Sequence, residues 1–150
     1  MRNIFNIDFA EFIQCLNNAN VKYLLIGGYA TIIHGYSRTT GDLDIWVERT
    51  STNYKKIQKA FESFSMPVFD MTEDKFLTDD KIDVFTYGRP PVSIDIINRI
   101  KGIDFETAWK NKEIKNIDSI PVNLISLKDL ITAKKAVSRP KDIDDIDHLT

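Results

Sequence analysis

The sequence predicts an α/β (α+β) fold, a mixed β-sheet flanked by helices with a helical C-terminal segment, on three observations. Leu43, Ile45 and Val47 alternate with Asp42, Asp44 and Trp46, which is the period of a strand. Tyr23-Leu24-Leu25-Ile26 is a short apolar run stopped by Gly27-Gly28, as a buried strand would be. Apolar residues at helical spacing frame these strands at both ends of the chain.

The first such stripe is Phe9, Phe12, Ile13 and Leu16. Asp8 followed by Glu11 resembles a capping box opening a helix that runs to about Asn18. After the Gly-Gly turn, residues 29–34 fit two helical turns, with Gly35 as a stop. A helix over about 52–64 presents Ile57, Ala60, Phe61 and Phe64 on one face. Residues 82–87 and 92–97 read as two strands joined across Gly88-Arg89-Pro90-Pro91. Residues 105–109 read as a helical turn, and 120–125 as a last short strand. Ser126 with Asp129 caps a helix from Leu127 to about Ser138, Pro140 ends it, and residues 142–149 add a short helix.

Composition narrows the class of protein. A chain of 150 residues without a Pro/Gly/Ser-rich linker or internal repeat reads as one domain over 1–150, its helical C-terminal segment at about 126–150. Hydrophobic residues make up 43% and charged residues 28%, as in ordinary globular proteins. A net charge of −2 argues against a strongly basic nucleic-acid binder. Cys15 is the only cysteine, which excludes an intrachain disulfide and a Cys-based zinc site. With only His34 and His148, a His-rich metal site is not expected, and His34 reads as a helix-end histidine. No apolar run reaches the ~20 residues of a membrane span, and Met1 to Asp8 lack a signal-peptide pattern, so a cytoplasmic location is expected.

Aspartate is depleted in strands, so Asp42 and Asp44 need a reason. Spaced by two, both carboxylates fall on one face, where they repel each other unless a cation sits between them. Magnesium takes carboxylate oxygens while keeping waters and substrate phosphates in its shell. The competing reading is a pair of solvated edge-strand aspartates. Gly27-Gly28 between strand and helix lets backbone approach a ligand closely and exposes unpaired helix N–H groups, a combination suited to phosphate. A plain tight turn would need the same glycines.

Taken together, Leu25-Ile26-Gly27-Gly28, then residues 29–41, then Asp42-Leu43-Asp44-Ile45 resemble the signature of the DNA polymerase β-like nucleotidyltransferase superfamily. His34-Gly35-Tyr36-Ser37-Arg38-Thr39-Thr40-Gly41-Asp42 is further similar to a variant found in small bacterial stand-alone nucleotidyltransferases related to AbiEii-type toxins. The resemblance is strong over about residues 23–48 and weaker beyond. It implies a nucleotidyltransferase fold and a third carboxylate on a later strand. Asp95, in the apolar run 92–97, is the first choice and Asp83 the competitor.

The resemblance also implies the chemistry. Asp42, Asp44 and Asp95 would hold Mg²⁺, two ions in all, and act as the catalytic carboxylates. Gly27 and Gly28 would cradle the phosphates of an NTP such as ATP, with Thr40 and Arg38 in the loop entering the metal strand. Lys134 falls on the apolar stripe of its helix, where a charge either snorkels outward or meets an anion, here a triphosphate. Arg139-Pro140-Lys141-Asp142 is similar to an Arg-x-Lys-Asp element of AbiEii-type relatives, or else a helix stop with Asp142 as cap. The expected reaction transfers NMP from the NTP to an acceptor, with release of pyrophosphate. The acceptor is tRNA or other RNA, protein, or a small molecule. A homo-oligomer or partner protein would supply the acceptor wall that relatives build from an extra helical domain. The alternative is an inactive nucleotide- or partner-binding module of the same fold, part of a toxin–antitoxin pair.

Overall fold

The computed structural model describes residues 4–89 and 92–150. In chain order the elements are α1 (Ile7–Asn18), β1 (Tyr23–Ile26), α2 (Gly27–Ile33), β2 (Leu43–Val47), α3 (Ser51–Ser63), α4 (Glu73–Thr78), β3 (Val84–Arg89), β4 (Val92–Ile97), α5 (Phe105–Asn111), β5 (Glu113–Ile117), β6 (Ile120–Leu124), α6 (Leu127–Val137) and α7 (Pro140–Leu149). The strands form one mixed sheet in the order β3-β4-β2-β1-β6-β5. Pairs β1–β2, β3–β4 and β5–β6 are antiparallel, whereas β2–β4 and β1–β6 are parallel. The expected mixed sheet flanked by helices is what the chain adopts.

Alternation along β2 decides what faces what. Leu43, Ile45 and Val47 are fully buried, so one face of this strand is solid core. Asp44 and Trp46 point to the other face. Trp46 packs edge-on against Phe105, with ring centroids 5.2 Å apart. α1 and α3 meet through Phe12, whose ring stands edge-on to Phe61 and Phe64. All four residues of β1 are buried, because the strand has neighbours on both edges and helices beside it.

Several boundaries differ from the sequence reading. The cap of α1 is Asn6, whose side chain accepts the Phe9 N–H at 2.8 Å, and Asp8 lies inside the first turn instead. α7 begins at Pro140, so the proline that stops α6 also starts the next helix, where its missing N–H costs nothing. Two elements were not anticipated. α4 is short, carries one buried apolar residue, Phe76, and is capped by Thr72. β5 is an edge strand rich in charge, joined to β6 by Asp118-Ser119, both at positive φ, a hairpin turn made without glycine. The Pro90-Pro91 part of the β3–β4 connection and Met1–Asn3 lie outside the described residues. Among the described residues no helix is long and apolar enough to cross a membrane.

Candidate active site

The parallel pairing of β2 and β4 sets Asp44 directly beside Asp95. The two carboxyl groups stand close enough to share a proton when one of them is protonated. Burial is the main cause that pushes the Asp44 carboxyl up to about 7. The hydrogen bond to Asp95 and the negative charges of Asp95 and Asp42 push the same way, while Lys141 opposes them. Asp42, just before β2, accepts a hydrogen bond from the Ser93 hydroxyl at 2.8 Å. Asp95 accepts one from the Thr86 hydroxyl, also at 2.8 Å. Two hydroxyls therefore orient Asp42 and Asp95 on either side of Asp44. Asp83, the competitor for the third position, lies away from them and pairs with Arg99 at 2.8 Å.

The Gly-Gly turn is packed onto this group. Gly27 opens α2 at φ +72°, and a Cβ there would run into the carboxylate of Asp44. A Cβ on Gly28 would run into the Thr40 side chain. The glycines thus allow backbone to touch the acidic strand and the loop leading into it. Gly27, Gly28, Thr40, Asp42, Asp44 and Asp95 are brought together as the sequence pattern implies.

Arg38 and Lys134 have another partner. Lys134 is only 7% exposed, and its ammonium donates to Asp145 Oδ2 at 2.8 Å, with Asp142 Oδ1 at 3.9 Å. Arg38 donates to both oxygens of Asp145, at 2.8 and 3.0 Å. Lys134 neither snorkels nor stands open toward the carboxylate group; its partner is a buried acid. Asp142 accepts from the backbone N–H and guanidinium of Arg139, completing a capping box for α7. Burial pushes Asp142 and Asp145 upward, but the hydrogen bonds from Arg139, Arg38 and Lys134 hold both below the ordinary value. His34 ends α2 and bonds the Ile125 carbonyl, a helix-end role.

The sequence reading missed Ser93, Thr86 and Asp145, and gave Lys141 no place in the site. Ser93 precedes Asp95 by two, so it shares that face, and Thr86 lies opposite Asp95 in the β3–β4 register. Asp142 and Asp145 share helical spacing with Leu149, an acidic stripe matched to the inward-facing Lys134. Lys141 is exposed at the start of α7, close enough for its charge to act on Asp44.

All donors in the carboxylate group are hard oxygens, and the charge of its paired carboxylates is of the kind a hard cation offsets. The residues present therefore fit Mg²⁺. Among the described residues no three His, Cys, Asp or Glu side chains are drawn together closely enough to cage a metal as they stand.

The mixed sheet that carries the paired aspartates and the Gly-Gly turn is a fold this chain shares with solved structures. The chain resembles the antibiotic-resistance factor ANT(2'')-Ia at 13% identity and a TM-score of 0.63, over 95% of this chain and 80% of that one. It resembles the lincosamide antibiotic adenylyltransferase LnuA, solved with lincomycin bound, at 15% identity and a TM-score of 0.57, over 99% and 98% of the two chains. An antigenic nucleotidyltransferase-like protein from Paracoccidioides brasiliensis matches at 17% identity and a TM-score of 0.58, over 93% and 72%. Such identities speak for the fold alone. Among curated proteins none matches by sequence. Over residues 3–150 the chain belongs to the family described as "Nucleotidyltransferase of unknown function (DUF6036)".

Proposed function

We propose that the chain is a Mg²⁺-dependent enzyme that transfers NMP from an NTP to an acceptor hydroxyl. The observation that carries this reading is the Asp44–Asp95 pair, two carboxyl groups on adjacent strands that need a proton or a cation between them. Asp42, Asp44 and Asp95 are the residues that would hold Mg²⁺. When bound, the metal lowers the pKa of the attacking hydroxyl and offsets charge on the triphosphate.

The chain's own residues do the rest. Ser93 and Thr86 orient Asp42 and Asp95. Gly27, Gly28 and Thr40 form the backbone wall against which the triphosphate lies. Lys141 adds positive field beside Asp44. The acceptor oxygen bonds to the α-phosphorus, the bond from that phosphorus to the bridging oxygen breaks, and pyrophosphate leaves. Asp95 takes the hydroxyl proton.

For the acceptor, the resemblance of residues 34–42 and 139–142 to AbiEii-type toxins speaks for RNA or protein and for a toxin–antitoxin setting. The basic surface is slight, however. With Lys134 withdrawn, Lys128, Lys135, Arg139 and Lys141 are its exposed members on α6 and α7. That and the net charge of −2 favour a protein or small-molecule hydroxyl over RNA.

Pyrophosphate release tests the reading. Each NTP is incubated with Mg²⁺ and, in turn, with cell RNA, cell protein and a small-molecule panel. Release that needs one acceptor fraction and disappears in Asp42→Asn supports transfer. Tight Mg²⁺-dependent NTP binding without release in any mixture would favour a binding module.

A further inference from the structure

We infer that Asp145, in the middle of α7, is a positioning residue for the nucleotide site, acting through Arg38 on the loop that carries Thr40 and Asp42. The inference rests on the nucleotidyltransferase reading and deepens it.

Asp145 is 1% exposed and satisfied by three charged hydrogen bonds, two from Arg38 and one from Lys134. Bidentate Arg–carboxylate pairs fix orientation as well as contributing energy. Arg38 turns its remaining Nη1 back onto its own loop and donates to the Thr39 carbonyl at 3.1 Å. The next residue, Thr40, presses against Gly28 so closely that a methyl group on Gly28 would overlap it. Two residues further stands Asp42, held by Ser93.

A continuous path therefore runs from α7 through Arg38 and the Thr39 backbone to the Gly-Gly turn and the first aspartate. The same loop is tied to α7 a second time. Tyr36 donates to Asp144 at 2.7 Å, and its ring stacks on His148, with centroids 3.9 Å apart and planes at 4°. Loop 35–42 contains no helix or strand; its start is closed onto α2 by the Gly35 and Tyr36 amides, which donate to Ile32 and Thr31. Beyond that cap its placement leans on these side-chain ties. Arg38 thereby serves the site as a strut and not as a phosphate ligand, with three of its five N–H donors engaged.

The test compares Asp145→Asn and Arg38→Gln with Leu149→Ala, which loosens α7 at its apolar end without touching the path. Arg38→Gln leaves the Lys134–Asp145 pair in place and so keeps the variant set informative if Asp145→Asn does not fold. Two readouts are taken: hydrogen exchange of amides 28 and 36–42 in the unliganded protein, and Mg·ATP affinity by calorimetry.

Positioning predicts that both path variants speed exchange at these amides roughly tenfold or more relative to β1, and weaken Mg·ATP binding by a similar factor. The double variant should be no worse than the weaker single one. Leu149→Ala should leave affinity within about twofold. If Arg38 instead contacts phosphate directly, Asp145→Asn frees it and binding holds or tightens while Arg38→Gln weakens it; that result overturns the inference. Unchanged exchange at 36–42 in both path variants overturns it as well, whether or not the protein binds nucleotide. A wild-type protein that binds no NTP under these conditions counts against the nucleotidyltransferase reading, and is told apart by the exchange data.

Discussion

Asp44 on β2 and Asp95 on β4 stand side by side in a parallel register, close enough for their carboxyl groups to share a proton. Strand pairing places two half-buried acids side by side, so when both ionise they repel unless a proton or a cation offsets the charge. Ionised together, such a pair costs the fold stability.

Asp44→Asn should therefore remove activity while leaving the fold as stable as before, or more stable. The amide can donate to Asp95 without a proton to lose. Thermal unfolding at about pH 8, where the native pair is under most tension, should give a Tm equal to or above wild type. A fall of several degrees would mean that the pair supports the fold.

The pH dependence of stability follows from the same group. Folded Asp44 titrates near 7 and the unfolded residue near 3.8, so between these values the folded state binds more protons. Stability of the metal-free protein should fall as pH rises through that window. Asp142 and Asp145 act oppositely: held below 3.8 in the fold, they lose their contribution as pH drops through their folded values. The metal-free protein should thus be most stable in mildly acidic solution. Mg²⁺ should raise Tm more at about pH 8 than at about pH 5, because binding displaces the shared proton. Thermal scans across pH with and without Mg²⁺ check both signs.

Gly28 and Thr40 should be coupled. Gly28→Ala alone forces its methyl into Thr40, at a cost of about 1–3 kcal/mol. Thr40→Gly, which removes the Cβ at 2.7 Å as well as the hydroxyl, should recover part of that loss, giving a coupling of about 0.5–3 kcal/mol in a denaturation cycle. Gly27→Ala has no such remedy, because its backbone lies at φ +72° and its neighbour is the Asp44 carboxylate.

Lys134→Met should destabilise the protein by about 3 kcal/mol, since it strips Asp145 of one of two cationic partners in a buried setting. Were Lys134 a triphosphate ligand, stability would barely change and nucleotide affinity would fall. Denaturant titration beside Mg·ATP calorimetry separates the two.

Much of this was legible in the chain because short-range rules carry it. The period-two pattern at 42–47, the apolar run ending at Gly27-Gly28 and the capped helix from Leu127 each survive in the fold. Asp95 could be singled out because an acid in an apolar strand demands a reason. What was hidden depends on partners far along the chain. Nothing near Lys134 announces that Asp145, one helix later, neutralises it, nor that Arg38 comes to the same carboxylate from a loop more than a hundred residues away. β5 was hidden because edge-strand residues face water and carry charge, and its turn uses Asp118-Ser119 at positive φ without the glycine that usually marks one.

The most direct measurement is label transfer from each α-³²P-NTP with Mg²⁺, to cell RNA, cell protein and a small-molecule panel, with Asp44→Asn alongside. The account predicts a labelled product in one acceptor class, reduced at least about a thousandfold in the variant. A labelled product formed equally well by Asp44→Asn would contradict the assignment of the carboxylate site.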